Sequence, residues 1–338
     1  MHALDALDEC VAGVTARSIH APCDESSQPT MDPPTDPPTD PHDEWQDVTQ
    51  VELALPTHHA PLNSSLLASA PPVLPRETPL ITPNRWVDHF RSSMTDPPNV
   101  DDLLLTRRQR TLSRLMPCMK TSPSPMYKSH LQVAVHMAQT AFNNDDPTHF
   151  QTLQTIYKQL TGDLVDCPRF GSHWEEIGFQ GNDPATDLRG VGCLGLLQPL
   201  AMLMNPEMYA LIRKIHALSR DERQDFPFMV LSINITRIAF DALRKQTIKK
   251  YILRDVDQFF DRFNYYFASL LFHFFHVWRT EQKTIKDSGY VLKDLEQLSL
   301  KKSDFLLERL EQHLTTYSKS DIQKAKANMD RRTGIATR

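Results

Sequence analysis

From about Met126 onward, apolar residues recur on one helical face. Leu131, Val135, Ala138 and Phe142 follow i, i+4, i+7 spacing, and Leu153, Ile156, Tyr157 and Leu160 repeat it before Gly162, a helix-terminating residue. Asn205-Pro206-Glu207 combines a capping residue, a proline suited to the first helical position and an acid in the first turn. Leu211, Ile215 and Leu218 continue that helix. Phe226-Pro227 opens another through Val230, Ile233, Ile238 and Leu243, and Ser303 is positioned to cap one bearing Leu306, Leu307, Leu310 and Leu314. Phe259 to Trp278 is apolar on nearly every face, interrupted only by Arg262, Asn264, His273 and His276, as a helix buried by its neighbours would be. Alternating strand patterns with hairpin turns are absent. The pattern predicts an all-α domain.

Upstream the periodicity vanishes. Sixteen of the 25 prolines fall within residues 1–100, including the tandem repeat Asp32-Pro33-Pro34-Thr35-Asp36-Pro37-Pro38-Thr39-Asp40-Pro41. Residues 1–105 carry 17 Asp/Glu against four Lys/Arg, a net of −13, which leaves +8 for residues 106–338. Acidic, proline-rich sequence buries too little apolar surface to offset the entropy of ordering it. The expected layout is a disordered arm over 1–105, one multi-helix domain over 106–318 and a flexible tail over 319–338. Trp45 and Trp86 then read as isolated aromatics in the arm, either partner anchors or unconstrained residues. The arm itself is either a plain tail or a ligand for a proline-binding domain. Removing residues 1–100 should leave stability nearly unchanged.

Composition excludes several classes. No run of 18 apolar residues predicts a spanning helix, and Met1-His2-Ala3-Leu4-Asp5 lacks the basic start of a secretory signal. Cys10, Cys23, Cys118, Cys167 and Cys193 are odd in number and lack CxxC spacing. A reducing, cytoplasmic setting is the simpler expectation, with the sequons at Asn63 and Asn234 as chance matches. His273 and His276 have i, i+3 spacing, but no thiol or carboxylate completes a metal-ligand set, so no metal site is expected.

Glycine is the other uneven residue, with seven of ten lying between Gly162 and Gly195. Gly190-Val191-Gly192-Cys193-Leu194-Gly195 has the spacing of a dinucleotide-binding loop, yet no strand precedes it and no second strand follows. The chain is therefore expected to bind no nucleotide cofactor, and no Walker A sequence is present. Thr186-Asp187 after Pro184 instead signals a helix start, with Arg189 in its first turn. Gly190, Gly192 and Gly195 would then lie inside a leucine-rich helix at about 1 kcal/mol each relative to alanine. Close packing of another helix is one reason for them; room for an incoming protein surface beside Arg189 is another.

These residues carry a family resemblance. Trp174, Gly178, Phe179, Gln180, Pro184, Thr186, Asp187, Arg189, Gly190, Gly192 and Leu196, spread over residues 174–196, are similar to the signature of the ELMO domain. The likeness continues through Gln224-Asp225-Phe226-Pro227-Phe228 and His276-Val277-Trp278-Arg279-Thr280, and Pro199 departs from it where the family has leucine. The resemblance implies an all-α domain that acts as a GTPase-activating protein (GAP) for Arf-family and Arf-like small GTPases. It makes Arg189 the proposed catalytic arginine, with GTP and Mg²⁺ carried by the partner. The same arginine could instead hold the loop by an ion pair with Asp187, Asp183 or Glu176. Trp174 and Phe179 are expected as core anchors, Gln180 in a packing hydrogen bond or orienting backbone or water, and Thr186 and Asp187 as helix caps.

A non-catalytic scaffold that binds a small GTPase or a cytoskeletal regulator is the competing reading. The armadillo-like and PH regions of the larger scaffolds are missing here, which favours the compact GAP type. The +8 charge of the helical region would suit recruitment to a membrane surface. No nucleic-acid partner is expected.

Overall fold

The computed structural model describes residues 78–104, 124–316, 322–324 and 326–327. The repeat at Asp32–Pro41, Trp45, the arm to residue 77 and most of the 319–338 tail lie outside the described residues. Among the described residues nine helices of ten or more residues carry the fold: α1 (Pro83–Ser93), α2 (Pro125–Gln139), α3 (Pro147–Thr161), α4 (Leu194–Leu203), α5 (Pro206–Leu218), α6 (Phe228–Arg244), α7 (Phe259–Thr280), α8 (Ser288–Lys301) and α9 (Ser303–Thr315). No strand occurs among the described residues.

Proline writes the helix starts. Thr82-Pro83, Asp146-Pro147 and Asn205-Pro206 each place a side-chain acceptor just before a first-turn proline, and each cap accepts a first-turn N–H. Gly162 ends α3 in the left-handed conformation (φ 94°) and returns its N–H to Lys158 O. Two boundaries differ from the sequence reading. Helix α2 stops at Gln139, so Phe142 lies in the following loop. Ser303 begins α9 but does not cap it, because Lys302 alone separates α8 from α9 and stands at the cap position.

Helices α4 and α7 form the centre. Helix α4 packs against α1, α2, α3, α5, α6 and α7, and nine of its ten residues are buried, including Pro199, through which the helix continues. Around α7 lie α2, α4, α5, α6, α8 and α9. Its Phe259, Phe263, Tyr266, Phe267, Phe274 and Trp278 are fully buried, as expected of a helix apolar on all sides. The polar tips are satisfied locally: Trp278 Nε1 donates to Gln224 O (2.9 Å), while Gln224 Nε2 donates back to Trp278 O (2.7 Å).

The largest correction concerns the arm. Residues 78–104, assigned to it from sequence, pack as a strap on α2, α3 and α4. Trp86 is neither a partner anchor nor unconstrained: it is fully buried with Ile81, Val87 and Phe90, edge-on to Phe90 at 4.8 Å and to His149 at 5.2 Å. Three apolar residues at helical spacing after a Thr-Pro cap, with Ile81 just before it, suffice to dock a short helix, even where regional composition is proline-rich and acidic. A deletion that reaches residue 100 therefore removes core. Trp86→Ala should cost about 3 kcal/mol, read as a lower urea midpoint, by loss of burial and the cavity left behind. An unchanged midpoint would mean that the strap is not part of the cooperative unit.

Two buried histidines make stability pH-dependent. Burial, assisted by the charge of Arg213, pushes His216 down to about 4, and burial with Arg309 does the same for His273. Arg309 Nη1 lies 3.0 Å from His273 Nδ1, so the uncharged ring serves as acceptor. The unfolded chain binds these protons from about pH 6.5 downward, whereas the folded chain resists them until about pH 4. Their stabilising contribution is complete above the unfolded value and is lost as pH falls through that window, on the order of 2 kcal/mol each by pH 5. Denaturant unfolding at pH 7.5 and 5.0 should show the decline, and His216→Gln should flatten it.

Candidate functional site

The signature residues 174–196 run along the excursion between α3 and α4, which contains two 3-10 turns, Ser172–Ile177 and Pro184–Gly190, and end in the first turn of α4. Its first half is anchored inward. Trp174 is fully buried, donates Nε1 to Arg169 O at 2.9 Å, and stands edge-on to Tyr157 and Phe179. Phe179 is buried as well. Between them Gly178 adopts φ 85°, and its carbonyl accepts the Val230 N–H at 3.0 Å. That N–H belongs to the first turn of α6, where the preceding residue, Pro227, has no side-chain acceptor to offer.

The second anchor is at Gly192. Its φ of 53° lets the backbone settle onto the carbonyls that end α2, and Cys193 N–H donates to Thr140 O at 2.9 Å. A Cβ on Gly192 would lie 2.5–2.8 Å from the carbonyl oxygens of Thr140, Ala138 and Met137. What this glycine makes room for is the end of α2. The reading of Gly190, Gly192 and Gly195 as interior helix residues is corrected accordingly, since α4 begins only at Leu194 and holds Gly195 alone.

Between the two anchors residues 180–190 face outward except for the buried Pro184 and Leu188, and their hydrogen bonds differ from the sequence reading. Asp183 is the cap of the second 3-10 turn and accepts Ala185 N–H at 3.0 Å, with Pro184 buried behind it. Thr186 is not a cap; its hydroxyl donates to Asp183 O at 2.8 Å. Asp187 does not cap either; it accepts the Gln180 N–H at 2.7 Å and closes the outward loop on itself. Burial raises the Asp187 carboxyl above its ordinary range, against the opposing pull of that hydrogen bond and of the Arg189 charge. The Gln180 side chain is exposed, as are Gly181, Asn182, Thr186, Arg189 and Gly190.

Arg189 makes no ion pair within 4 Å among the described residues. The three acids that could have held it are engaged elsewhere. Asp183 pairs with Arg169 at 2.7 Å, Glu176 approaches Arg220 at 3.6 Å, and Asp187 holds the Gln180 amide. The structural role considered for Arg189 falls to Arg169, which sequence reasoning passed over. Arg169 also donates Nε to Asn144 at 2.7 Å and lies over the Phe142 and Phe170 rings at 4.7 and 4.5 Å. Its only sequence signal is its place five residues before Trp174. Leu164, Val165 and Phe170, in the same α3–α4 connection, are exposed apolar side chains.

A second cluster has the residue types of a metal site. His89 Nε2 lies 2.9 Å and His149 Nε2 3.8 Å from Asp146 Oδ2, and the three ligand atoms fall within 4.8 Å of one another. His149 Nδ1, however, accepts the Asn143 N–H at 2.9 Å, so in the neutral ring Nε2 carries the proton, where a metal would need its lone pair. The geometry is that of a clasp between α1 and the start of α3.

Comparison with known proteins adds to this geometry. Residues 133–292 match the ELMO/CED-12 family. The chain is 39% identical over 252 residues to mouse ELMO domain-containing protein 3, covering 74% of this chain and 65% of that protein. It is 45% identical over 183 residues to the human protein of that name, covering 54% of this chain and 48% of that protein. Human ELMO domain-containing protein 2 is 27% identical over 143 residues, 42% of this chain and 48% of that protein. The chain thus spans less than two thirds of the length of these relatives. No solved structure matches it. Among the described residues no helix is long and apolar enough to cross a membrane.

Proposed function

Residues 133–292 belong to the ELMO/CED-12 family, and from that premise we propose that the chain is a GTPase-activating protein for a small GTPase of the Arf or Arf-like branch, with Arg189 as its catalytic residue. The observation that carries the reading is an exposed arginine without an ion pair, on an outward loop whose two ends are pinned to α6 and α2. In GTP hydrolysis charge spreads over the phosphoryl oxygens in the transition state, and an arginine supplied in trans neutralises it. A guanidinium stays protonated and presents a planar set of donors. GTP, Mg²⁺ and the attacking water belong to the partner; this chain contributes the guanidinium and the surface that positions it. Work in the cytoplasm, at membranes reached through the GTPase, is part of the proposal.

The exposed Leu164, Val165 and Phe170 favour a second reading, a module that binds a GTPase or cytoskeletal regulator without chemistry. One assay separates the two. Purified Arf and Arf-like GTPases loaded with GTP are followed for phosphate release with substoichiometric amounts of the full chain. Turnover of excess GTPase supports the activator; stable binding without acceleration leaves the scaffold.

A further inference from the structure

The strap is latched at its first described residue. Thr78 N–H donates to Asp166 Oδ2 at 3.0 Å, the Thr78 hydroxyl donates to the same oxygen, and Thr78 O accepts from Lys158 Nζ at 3.3 Å. Lys158 also pairs with Asp166 Oδ1, and the two side chains are only 7% and 22% exposed. Next to this latch Gln151 donates to Pro79 O at 2.7 Å and Ile81 N–H to Thr155 Oγ1 at 3.0 Å. One carboxylate thus holds two groups of Thr78, and α1 with its buried Trp86 follows directly.

The latch lies within Thr78-Pro79-Leu80-Ile81-Thr82-Pro83. Proline pushes the residue before it into extended conformation, and residues 78–82 adopt no helix. Thr78 is half-buried and Pro79 exposed. A threonine followed by proline in extended backbone is the substrate element of proline-directed protein kinases. We propose that Thr78 is phosphorylated by a kinase of that class, and that the phosphate releases residues 78–104 from α3.

The chemistry supplies the reason. The Thr78 hydroxyl oxygen attacks the γ-phosphorus of ATP and forms the O–P bond, its proton passes to the base of the kinase, and the bond to ADP breaks. A hydroxyl that donated to Asp166 becomes a group of about −1.5 to −2 charge with acceptor oxygens only. Phosphate and carboxylate then repel one another across Lys158, the cation that pairs with Asp166. Thr82 precedes a proline too, but its hydroxyl caps α1 by accepting Arg85 N–H. A phosphate there would meet the positive end of the helix and hold α1 in place, so the two threonines act with opposite sign.

The test treats the full chain with a cyclin-dependent kinase and MgATP, maps the phosphate by mass spectrometry and follows amide hydrogen exchange over residues 81–90. The expected result is phosphate on Thr78 and at least tenfold faster exchange across that segment. Thr78→Glu should reproduce the release, Thr78→Val should give a smaller one, and adding Asp166→Asn to Thr78→Glu should restore protection, because Lys158 then serves a single carboxylate. Phosphate on Thr82 without Thr78 would overturn the proposal. So would phospho-Thr78 with unchanged exchange, Thr78→Val releasing the strap as fully as Thr78→Glu, or failure of Asp166→Asn to restore protection.

Discussion

Arg189→Lys is expected to reduce GTPase stimulation to the partner's own basal rate, a loss of about 10³–10⁵ in single-turnover hydrolysis at saturating chain. Lysine keeps the positive charge but offers one compact ammonium in place of a planar fork, so it cannot bridge several phosphoryl oxygens at once. The exposed side chain and its missing ion pair predict the other half of the result. No folded-state bond is broken, so thermal stability should change by less than about 0.5 kcal/mol, as for an ordinary surface substitution. Affinity for the GTP-bound partner should persist, since a contact made in the transition state contributes little to ground-state binding. Full activity of Arg189→Lys would end the arginine-finger reading. A large loss of stability would return the residue to a structural role.

The second large effect falls on Gly178. A Cβ there would lie 2.1 Å from Phe228 N and 2.7 Å from Pro227 C, on a residue whose φ of 85° disfavours L side chains. Neither obstacle can move cheaply, because both belong to the backbone that starts α6. Gly178→Ala should therefore cost about 4–5 kcal/mol, combining left-handed strain with displacement of the loop from the helix, and should lower Tm by roughly 10–15 °C. Gly190→Ala is the internal control, since nothing lies within 4 Å of a Cβ there and its φ is not positive. Calorimetry of the two variants checks the pair. Equal, small shifts would show that the loop does not rest on α6 as described.

The two experiments probe different uses of one signature. Gly178 and Gly192 are needed because backbone approaches backbone at two helix ends. Arg189 is displayed while its neighbour Leu188 and Pro184 are buried and hold the segment against the domain. Asp187 accepts the Gln180 backbone N–H, and Asp183 accepts the Ala185 N–H and pairs with Arg169, which holds the loop in shape and leaves the Arg189 guanidinium outside.

The all-helical class was determined by sequence alone, because 3.6-residue periodicity and the polar-residue–proline starts are local signals that act within one turn. The buried aromatic helix α7 was legible for a related reason: a segment apolar on every face has no solvated side to present. Glycine clustering and the family likeness also singled out residues 174–196 as the candidate site. Tertiary structure decided what neighbours do. It turned Gly192 from presumed helix interior into a contact with the end of α2, set Gly178 against the start of α6, and passed the capping role from Thr186 and Asp187 to Asp183. It gave the loop's ion pair to Arg169, leaving Arg189 without one. It also drew Trp86 and residues 78–104 out of a proline-rich, acidic region into the core, since burial depends on which surfaces meet across long sequence separations, and composition averaged over a hundred residues carries no record of that.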